Sequence, residues 1–535
     1  MKCRHRLLAI SLLLALFGGC GDESSGADAS FARQPPPADK GIHGYANGCY
    51  AVEVFDGSKT LRYIRADSSG DRFSLADDKP KTASRFHMRA TDLGSFVLYD
   101  TERRYFTAVA SKTGSAWHFS RPDQLESEVD RLEDGFISPA EWRLELSPRD
   151  TERYQLQHLA TGRFLTLSGL TDDASKAAIV TLQPRDGCAT FPELSIDANG
   201  AVKPRKWDDG DVYGIAEIHS HMMADSGFGG GGIFHGAPFH RLGVERALPD
   251  CSRSHGLEGR RDLLGSFHDG DSDFDLKALL PVLMNGEFEV FSHHTAGYPK
   301  FTEWPNSWRR STHQTMYYRW LERAHLAGLR LLVQHATGNS VMCDLTLATT
   351  AQKTLYSCND MVSVDRAIDQ VHALERYIDA QAGGPGKGWL RVVNSPKAAR
   401  DVINEGKLAV ILGIEISNLF DCFLTPPKGF EKCTAQTVRG KLDHYRGKGV
   451  SVIFPVHKFD NGFSAGDGSS GIIELGNIIN SGHYSNLVKD CPGPSTAFDG
   501  SKVTFGGLNK PREVYDSPAP LDFSGMVDDL LATFA

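Results

Sequence analysis

Two histidines that are two residues apart follow a short apolar run in the segment GIAEIHSHMMADSG, residues 214–227. If residues 212–218 form a strand, His219 and His221 project from the same face near its end, because side chains alternate along a strand. Neutral imidazole binds zinc and similar ions, so the pair would supply half of a metal site. The chain contains 20 histidines, and a chance pair at the start of a loop is the alternative unless further ligands converge there.

Two other apolar runs end in side chains that suit such a site. The run LAVILGIEIS places Glu415 at the end of a predicted strand over residues 408–416, and VSVIFPVHKFDN delivers His457 after a predicted strand over residues 450–456. Burying a carboxylate is costly unless it meets a cation. We therefore predict that Glu415 and His457 meet the histidine pair at one edge of a sheet.

These strands belong to a series in which strands alternate with helices. Further strands are predicted at residues 329–333 and 389–393. Near-continuous apolar strands that alternate with helices indicate a parallel sheet covered by helices. A (β/α)8 barrel is the predicted form, and its sites lie at the carboxyl ends of the strands.

The sequence predicts the N-termini of two helices of this series. One begins at about Val364 with Ser363 as its predicted N-cap, and the other has Ser395 as N-cap and Pro396 at its first position. The apolar face predicted for the first helix, which Gly383 and Gly384 should end, consists of Ala367, Ile368, Val371, Leu374 and Ile378.

Residues 210–465 resemble the membrane (renal) dipeptidase family of zinc peptidases, within the amidohydrolase-like metal-dependent hydrolases. The resemblance rests on Gly413-Ile414-Glu415 and on the segment from Gly449-Val450 to His457. It implies that Glu415 bridges two zinc ions held also by His219 and His221, and that His457 contacts the substrate and helps to polarise the scissile carbonyl. Two further candidates for the substrate side are Asn461, in the polar loop after His457, and His335, at the sheet edge in LLVQHATGN.

The sequence departs from that family in two ways. The first-strand motif is His-x-His, which is commoner across the wider amidohydrolase superfamily, rather than His-x-Asp. The family also takes two metal histidines and an aspartate from strands after the equivalent of His457, whereas only His483 follows in this chain. An insertion at residues 224–328 uses further length without adding strands. We therefore expect a barrel without its late strands, either as a truncated product or as an incomplete domain.

The insertion and the last polar loop contain motifs of other kinds. The glycines of GFGGGGIFHGAPFH are not followed by Gly-Lys-Ser/Thr, so they predict a surface loop and not a phosphate site. The sequence GFSAG around Ser464 fits the serine-hydrolase elbow, but that elbow needs a strand directly before the serine and a helix directly after it. A polar loop is predicted instead. The insertion histidines are each expected to belong to the loop: His235, His240, His293 and His294.

The N-terminal part predicts export and a separate all-β domain. Basic residues, an apolar run and Gly-Gly-Cys20 resemble a bacterial lipoprotein signal, which predicts a signal peptide over residues 1–19, lipidation of Cys20 and a tether over residues 20–41. Phe17 departs from the small or aliphatic residue usual at that position, and plain secretion is the alternative. Residues 42–195 contain three similar strand–turn–strand segments, CYAVEVFDGSKTLRYI, SFVLYDTERRYFTA and RYQLQHLATGRFLTL. Such repetition resembles a β-trefoil, and carbohydrate is its candidate ligand.

Charge and cysteine content narrow the partners and the compartment. A net charge of −9 argues against nucleic acid or an anionic membrane surface as the main partner. Eight cysteines follow Cys3 and Cys20, and in an exported chain disulfides are the default. The spacings favour three pairs: Cys49 with Cys188, Cys343 with Cys358, and Cys422 with Cys433.

The predicted protein is multidomain, with a β-trefoil-like domain at residues 42–195 and a dipeptidase-like barrel domain at residues 206–535. Its predicted function is hydrolysis of dipeptides or related amide and carbonyl substrates through one or two zinc ions that activate water. The alternative is a glycan-binding surface lipoprotein whose barrel is truncated or has lost catalysis.

Overall fold

The computed structural model describes residues 41–482, except for residues 59, 78, 111–116, 123–136, 231–232, 263–264, 266–311, 349–354 and 467–470. The predicted signal peptide, the tether up to residue 40 with Cys20, and the histidines His293, His294 and His483 lie outside the described residues. Among the helices that the structure describes, none combines the length and apolar character needed to cross a membrane.

Residues 49–184 form a twelve-stranded antiparallel sheet. Its strands are β1 Cys49–Phe55, β2 Leu61–Ala66, β3 Arg72–Asp77, β4 Phe86–Asp92, β5 Ser95–Asp100, β6 Thr107–Ala110, β7 Trp117–Ser120, β8 Glu141–Ser147, β9 Asp150–His158, β10 Arg163–Thr166, β11 Gly169–Thr171 and β12 Ile179–Pro184. The first and third predicted hairpins form as the pairs β1–β2 and β9–β10. The second supplies β5 and β6, which a bridge between Tyr99 and Tyr105 connects. The prediction of a large N-terminal all-β region is confirmed.

Six of these strands are connected in a ring. The successive pairs are β1–β4, β4–β5, β5–β8, β8–β9, β9–β12 and β12–β1. The remaining six strands pair as β2–β3, β6–β7 and β10–β11. Each successive group of four strands therefore gives two strands to the ring and two to an outlying hairpin.

The core of this region is aromatic and aliphatic, as the alternating sequence dictates. The indole of Trp142 is fully buried, stacks on Phe106 with ring centroids 4.9 Å apart, and donates its N–H to the Phe106 carbonyl at 2.9 Å. A buried indole needs such an acceptor because an unpaired polar group in a core is costly.

All three predicted cysteine pairs are confirmed as disulfides: Cys49–Cys188, Cys343–Cys358 and Cys422–Cys433. The first joins β1 to the chain just after β12, so it links both ends of the all-β region. Disulfides persist in oxidising compartments, which agrees with an exported protein.

A separate parallel sheet begins at residue 215 and has five described strands. They are β13 Ile215–Ser220, β14 Leu329–Thr337, β15 Leu390–Val393, β16 Leu408–Glu415 and β17 Val450–Phe454. The strand β16 is central: β14 pairs with it along residues 409–415, β15 along residues 408–411 and β17 along residues 412–415. Every pairing is parallel, so the predicted parallel sheet is confirmed.

The strand order differs from that of a sequential barrel. A (β/α)8 barrel would place β15 between β14 and β16, whereas β14 pairs directly with β16. The exposed apolar side chains Ile215 and Ile218 lie on β13, and Phe454 ends β17. Within the described residues the sheet does not close.

Helices cover the sheet as the alternating pattern predicts. They are α1 Val244–Ala247, α2 Ser252–His255, α3 Tyr318–Leu326, α4 Ser340–Ala348, α5 Asp360–Gln381, α6 Pro396–Asn404, α7 Ala435–Gly447 and α8 Gly471–Ser481. The predicted cap of α6 is confirmed, because the Ser395 hydroxyl accepts from the Ala398 N–H at 3.2 Å. The helix α3 lies inside the predicted insertion and packs in the same core as β14, so residues 318–326 belong to the strand–helix series.

The helix α5 begins earlier than predicted. Its N-cap is Asn359, whose side-chain oxygen accepts from the N–H groups of Met361 and Val362 at 2.9 and 3.0 Å. The predicted cap, Ser363, is buried within the first turns of the helix. The predicted apolar face is confirmed, since all five of its residues are buried.

Replacement of Asn359 by alanine is expected to destabilise the protein by about 1 kcal/mol, since it removes the two cap bonds. It also removes a hydrogen bond of 2.7 Å from the Asn359 amide to Asp421. Ser363→Ala is the matched variant and should change stability by less than about 0.5 kcal/mol. Urea unfolding with the disulfides intact measures both, and a larger cost for Ser363→Ala would contradict this assignment of the cap.

The two regions are joined by a buried polar cluster around Arg89 of β4. Its guanidinium pairs with Glu193 at 2.9 Å and donates to the hydroxyls of Tyr318 and Tyr377 at 3.1 and 2.8 Å. Tyr318 begins α3 and Tyr377 lies on α5. A side chain of the all-β region is therefore fixed by two helices of the parallel-sheet region and by the connecting segment.

Candidate metal centre

The strand β13 brings its two histidines to one point. It runs from Ile215 to Ser220 rather than over the predicted residues 212–218, so His219 lies inside the strand and His221 directly after it. Ser220 points the opposite way, is buried, and donates to the Val333 carbonyl of β14 at 2.9 Å. The imidazole Nε2 atoms of His219 and His221 are 3.2 Å apart, as the two-residue spacing predicts.

Glu415 is the last residue of β16 and meets that pair. Its Oε2 lies 2.8 Å from His219 Nε2 and 3.2 Å from His221 Nε2. The Glu415 side chain is 9 % exposed, whereas that of His219 is 46 % exposed. The carboxylate therefore forms the floor of a site that opens to solvent past the imidazoles.

The three ligand atoms have the spacing that a bound cation requires. In a tetrahedral site with bonds of about 2.0–2.1 Å, ligand atoms lie about 3.3 Å apart. The three distances here are 2.8, 3.2 and 3.2 Å. Oε2 is also shielded from solvent and makes no hydrogen bond of normal geometry. The set of two imidazoles and one carboxylate thus fits a divalent transition ion.

A backbone contact orients His221. Its Nδ1 lies 3.2 Å from the carbonyl oxygen of His335. A ring that donates its Nδ1 proton to a carbonyl carries its lone pair on Nε2, which is the atom that faces Glu415. This outer contact is typical of histidines that bind metals.

The charge state of Glu415 suits a cation ligand. Burial acts to raise the pKa of this carboxyl, but the contact with His221 and the charges of His457, His221 and His219 outweigh it and lower the pKa to about 2. The low pKa agrees with an ionised Glu415 at neutral pH, which is the state in which a carboxylate binds a cation.

The structure places His457 on the other side of the same carboxylate. His457 lies after β17, which ends at Phe454 and not at the predicted residue 456. Its Nε2 is 3.6 Å from Glu415 Oε1, so the two oxygens of Glu415 face different histidines. Desolvation lowers the pKa of His457, which favours a neutral ring.

Asn461 lies in the polar loop after His457, as predicted, but its side chain is bound to backbone groups. Its side-chain amide donates to the carbonyls of Ser417 and Pro455, and its oxygen accepts from the N–H groups of Phe463 and Ser464. The side chain is buried. Asn461 therefore shapes the loop that carries His457 and does not offer its amide to a substrate. Ser464 lies in this loop with no regular element around it, as predicted.

His335 lies behind the ligands, on β14. Its ring is 5.0 Å from the ring of His219 and 5.0 Å from that of Phe454, and it is almost fully buried. It pairs in register with Gly413 of β16, and a Cβ atom at residue 413 would collide with His335 Nδ1. Glycine at residue 413 therefore makes room for the imidazole that supports the site.

Gly413→Ala is expected to destabilise the protein by about 1–3 kcal/mol, because the buried ring of His335 must move to admit the methyl group. The displaced ring should also weaken metal binding at least tenfold. Gly440→Ala is the control, since a Cβ there meets no atom and alanine favours the helix. Thermal unfolding and zinc titration measure the two effects, and equal behaviour of both variants would contradict the role given to Gly413.

One residue of the site was missed at the level of sequence. Gln334 is buried in β14, accepts from the Ser220 hydroxyl at 3.2 Å and from the Met222 N–H at 2.6 Å, and so holds both sides of His221. Its signal was a polar residue inside the apolar run LLVQHATGN. That signal is the same one that identified Glu415.

No protein-family model matches this sequence, and no similar sequence is found among curated proteins.

Proposed function

We propose that the protein is an exported, metal-dependent hydrolase of dipeptides or related amide and carbonyl substrates. The observation that carries the proposal is the convergence of His219, His221 and Glu415 within 2.8–3.2 Å at the carboxyl ends of two parallel strands. Sites of α/β sheets lie at such ends. Cys20 lipidation would then hold the enzyme at a membrane surface, and the −9 net charge disfavours nucleic acid as a partner.

Zinc is the proposed ion because imidazole and carboxylate are its ordinary ligands at catalytic sites. When bound, it supplies a Lewis acid that polarises a carbonyl and lowers the pKa of water. Glu415 presents Oε2 to the histidine pair and Oε1 toward His457. Because its two oxygens face different histidines, Glu415 would be a shared ligand if two ions bind, in agreement with a dipeptidase-like ancestry.

The chain's own residues define how a substrate would be held. His457 Nε2 is 3.6 Å from Glu415 Oε1 and its ring is partly exposed, so it can donate a hydrogen bond to a carbonyl oxygen placed beside the carboxylate. The ring of Phe454 lies 5.7 Å from that of His219 and gives an apolar wall. The proposed substrate is therefore a small amide whose carbonyl points at His457.

The experiment is metal analysis and dipeptide hydrolysis by the purified full chain. We expect zinc to bind stoichiometrically, and a panel of dipeptides to be hydrolysed with release of free amines. His221→Ala should lose the metal of this site and the activity, whereas His444→Ala, on the exposed side of α7, should retain both. Absence of stoichiometric zinc, with the same metal content in His221→Ala, would reject the proposal.

The all-β region is proposed to be a β-trefoil. Support comes from the six-strand ring and from the three outlying hairpins, which repeat every four strands. The (β/α)8 form of the second region stays a prediction, and the direct β14–β16 pairing counts against a sequential barrel.

The threefold pairing pattern favours a second candidate function, which is glycan binding by the all-β region. Repeated hairpins give repeated surface sites in such folds. A glycan array probed with the full chain tests it. Binding that persists in His221→Ala, in a protein that hydrolyses no dipeptide, would favour the binding lipoprotein over the enzyme.

A further inference from the structure

A second group of metal-binding side chains lies in the segment between β13 and α3. The ligand atoms of Cys251, His255 and His313 all lie within 4.8 Å of one another. Cys251 and His255 are almost fully buried, with relative exposures of 2 % and 0 %. This group shares no residue with the site of Glu415.

Local structure explains how two of these side chains meet. Cys251 and His255 are four residues apart on the single turn of α2, and the His255 N–H donates to the Cys251 carbonyl at 2.7 Å. Side chains that are four apart on a helix lie on the same side. The pair is thus a preformed half-site in the sequence C-x-x-x-H.

A short backbone pairing brings the third side chain. His313 and His235 form a parallel bridge, in which the His235 N–H donates to the Thr312 carbonyl at 2.7 Å and the Gln314 N–H donates to the His235 carbonyl at 2.8 Å. The rings of His255 and His313 are 4.8 Å apart and nearly perpendicular. Two histidines that are 58 positions apart are therefore held edge to edge, His255 fully buried and His313 half-buried.

The orientation of His255 leaves one nitrogen toward the group. Its Nε2 lies 3.1 Å from the Ile233 carbonyl, and its Nδ1 lies 3.5 Å from Oδ2 of Asp262. Asp262 is itself fixed by the Thr312 hydroxyl at 2.6 Å and by the Gly265 N–H at 2.9 Å. A ring that donates its Nε2 proton to a carbonyl carries its lone pair on Nδ1, so Nδ1, beside the fixed Asp262 carboxylate, is the atom that can bind a cation.

We propose that Cys251, His255 and His313 bind a zinc-class divalent ion in a structural site, with Asp262 beside it. A thiolate with two imidazoles selects borderline and soft transition ions over magnesium or calcium. Binding releases the thiol proton to solvent, since the thiolate is the ligand. Because Cys251 and His255 are almost fully buried, the ion is assigned to folding and not to a substrate.

A metal at this site would stabilise the segment between β13 and α3. The segment that contains it has only short helices among its described residues before α3, so it gains little from a regular backbone ladder. Gln314, next to His313, donates to the Met222 carbonyl at 3.0 Å, and Met222 follows His221. A metal that fixes His313 therefore also fixes the chain that leaves the His219–His221 pair.

Cobalt titration of the full chain separates this site from the first one, because only this site contains a thiolate. In the His219→Ala/His221→Ala variant, purified without reductant and stripped of metal, one equivalent of Co²⁺ should produce a near-ultraviolet thiolate-to-cobalt absorption that Zn²⁺ abolishes. Cys251→Ser should lose this absorption and bind Co²⁺ at least tenfold more weakly at this site.

His313→Ala is a second variant, to be used if Cys251→Ser does not fold. It keeps the thiol and should weaken the thiolate-to-cobalt absorption at least tenfold. Absence of the absorption in the double-histidine variant would overturn the proposal. Detection by non-reducing peptide mapping of Cys251 in a disulfide would overturn it as well. Loss of dipeptide hydrolysis is not a readout here, so failure of the proposed enzyme leaves this test intact.

Discussion

Glu415→Gln is expected to lower dipeptide hydrolysis by about 1,000-fold or more and to remove the metal bound at His219 and His221. Glutamine keeps the shape but loses the charge that faces two imidazoles at 2.8 and 3.2 Å. Lewis-acid stabilisation contributes several kcal/mol to such reactions, and about 4 kcal/mol corresponds to a thousandfold change in rate. Initial rates on the best dipeptide, together with metal content by atomic emission, measure both effects.

The matched control is Glu405→Gln. Glu405 is an exposed carboxylate just before β16 that pairs with Lys407, so its loss should leave metal content and rate within about twofold of the unsubstituted protein. A Glu415→Gln protein that retains stoichiometric zinc and full activity would show that the carboxylate is no ligand. The hydrolase proposal would then lose its central observation.

The centre of this site was predictable because local rules determine it. Alternation along a strand forces His219 and His221 to one side, and a carboxylate such as Glu415 within an apolar run needs a cation near it. Parallel strands then bring their carboxyl ends to one edge. These three rules need no knowledge of which strands are neighbours, provided that all belong to one sheet.

The features that the sequence did not predict depend on tertiary packing, which local sequence patterns do not determine. Both Asn359 and Ser363 suit an N-cap, and packing decides for Asn359 because Met361 is buried in the core with the predicted face. The pairing of β14 with β16 is a tertiary outcome that no strand pattern encodes. His313 is brought to Cys251 by a bridge to His235, and 62 positions of sequence separate His313 from Cys251.

Asn461 illustrates the same limit for roles rather than positions. Its place after His457 follows from the sequence, but its side-chain amide is used by four backbone groups, three in this loop and one at Ser417. A polar residue in a loop near a site can serve the loop or the substrate, and only the hydrogen-bond partners distinguish the two uses.

Arg89→Met is expected to lower the free energy of unfolding by about 3–5 kcal/mol, since removal of one partner leaves a buried charge uncompensated. Glu193 would lose its guanidinium partner at 2.9 Å while staying among the hydroxyls of Tyr317 and Tyr318. The loss also removes the guanidinium that lies 5.3 Å from the ring centre of Phe191. Urea unfolding with intact disulfides measures the change.

Arg376→Ala provides the comparison. The Arg376–Asp92 ion pair also connects the all-β region to the parallel-sheet region, but it is partly exposed to solvent. Arg376 of α5 pairs with Asp92 at the end of β4 at 3.2 Å, but both side chains are partly exposed, at 47 % and 33 %. Solvent screens such a pair, so its loss should cost less than about 1 kcal/mol. If the buried charges hold the two regions together, Arg89→Met must destabilise the protein several times more than Arg376→Ala does. Arg89→Met should also make the all-β region and the parallel-sheet region unfold in two separate transitions. Equal costs would instead assign the junction to apolar packing around Tyr377.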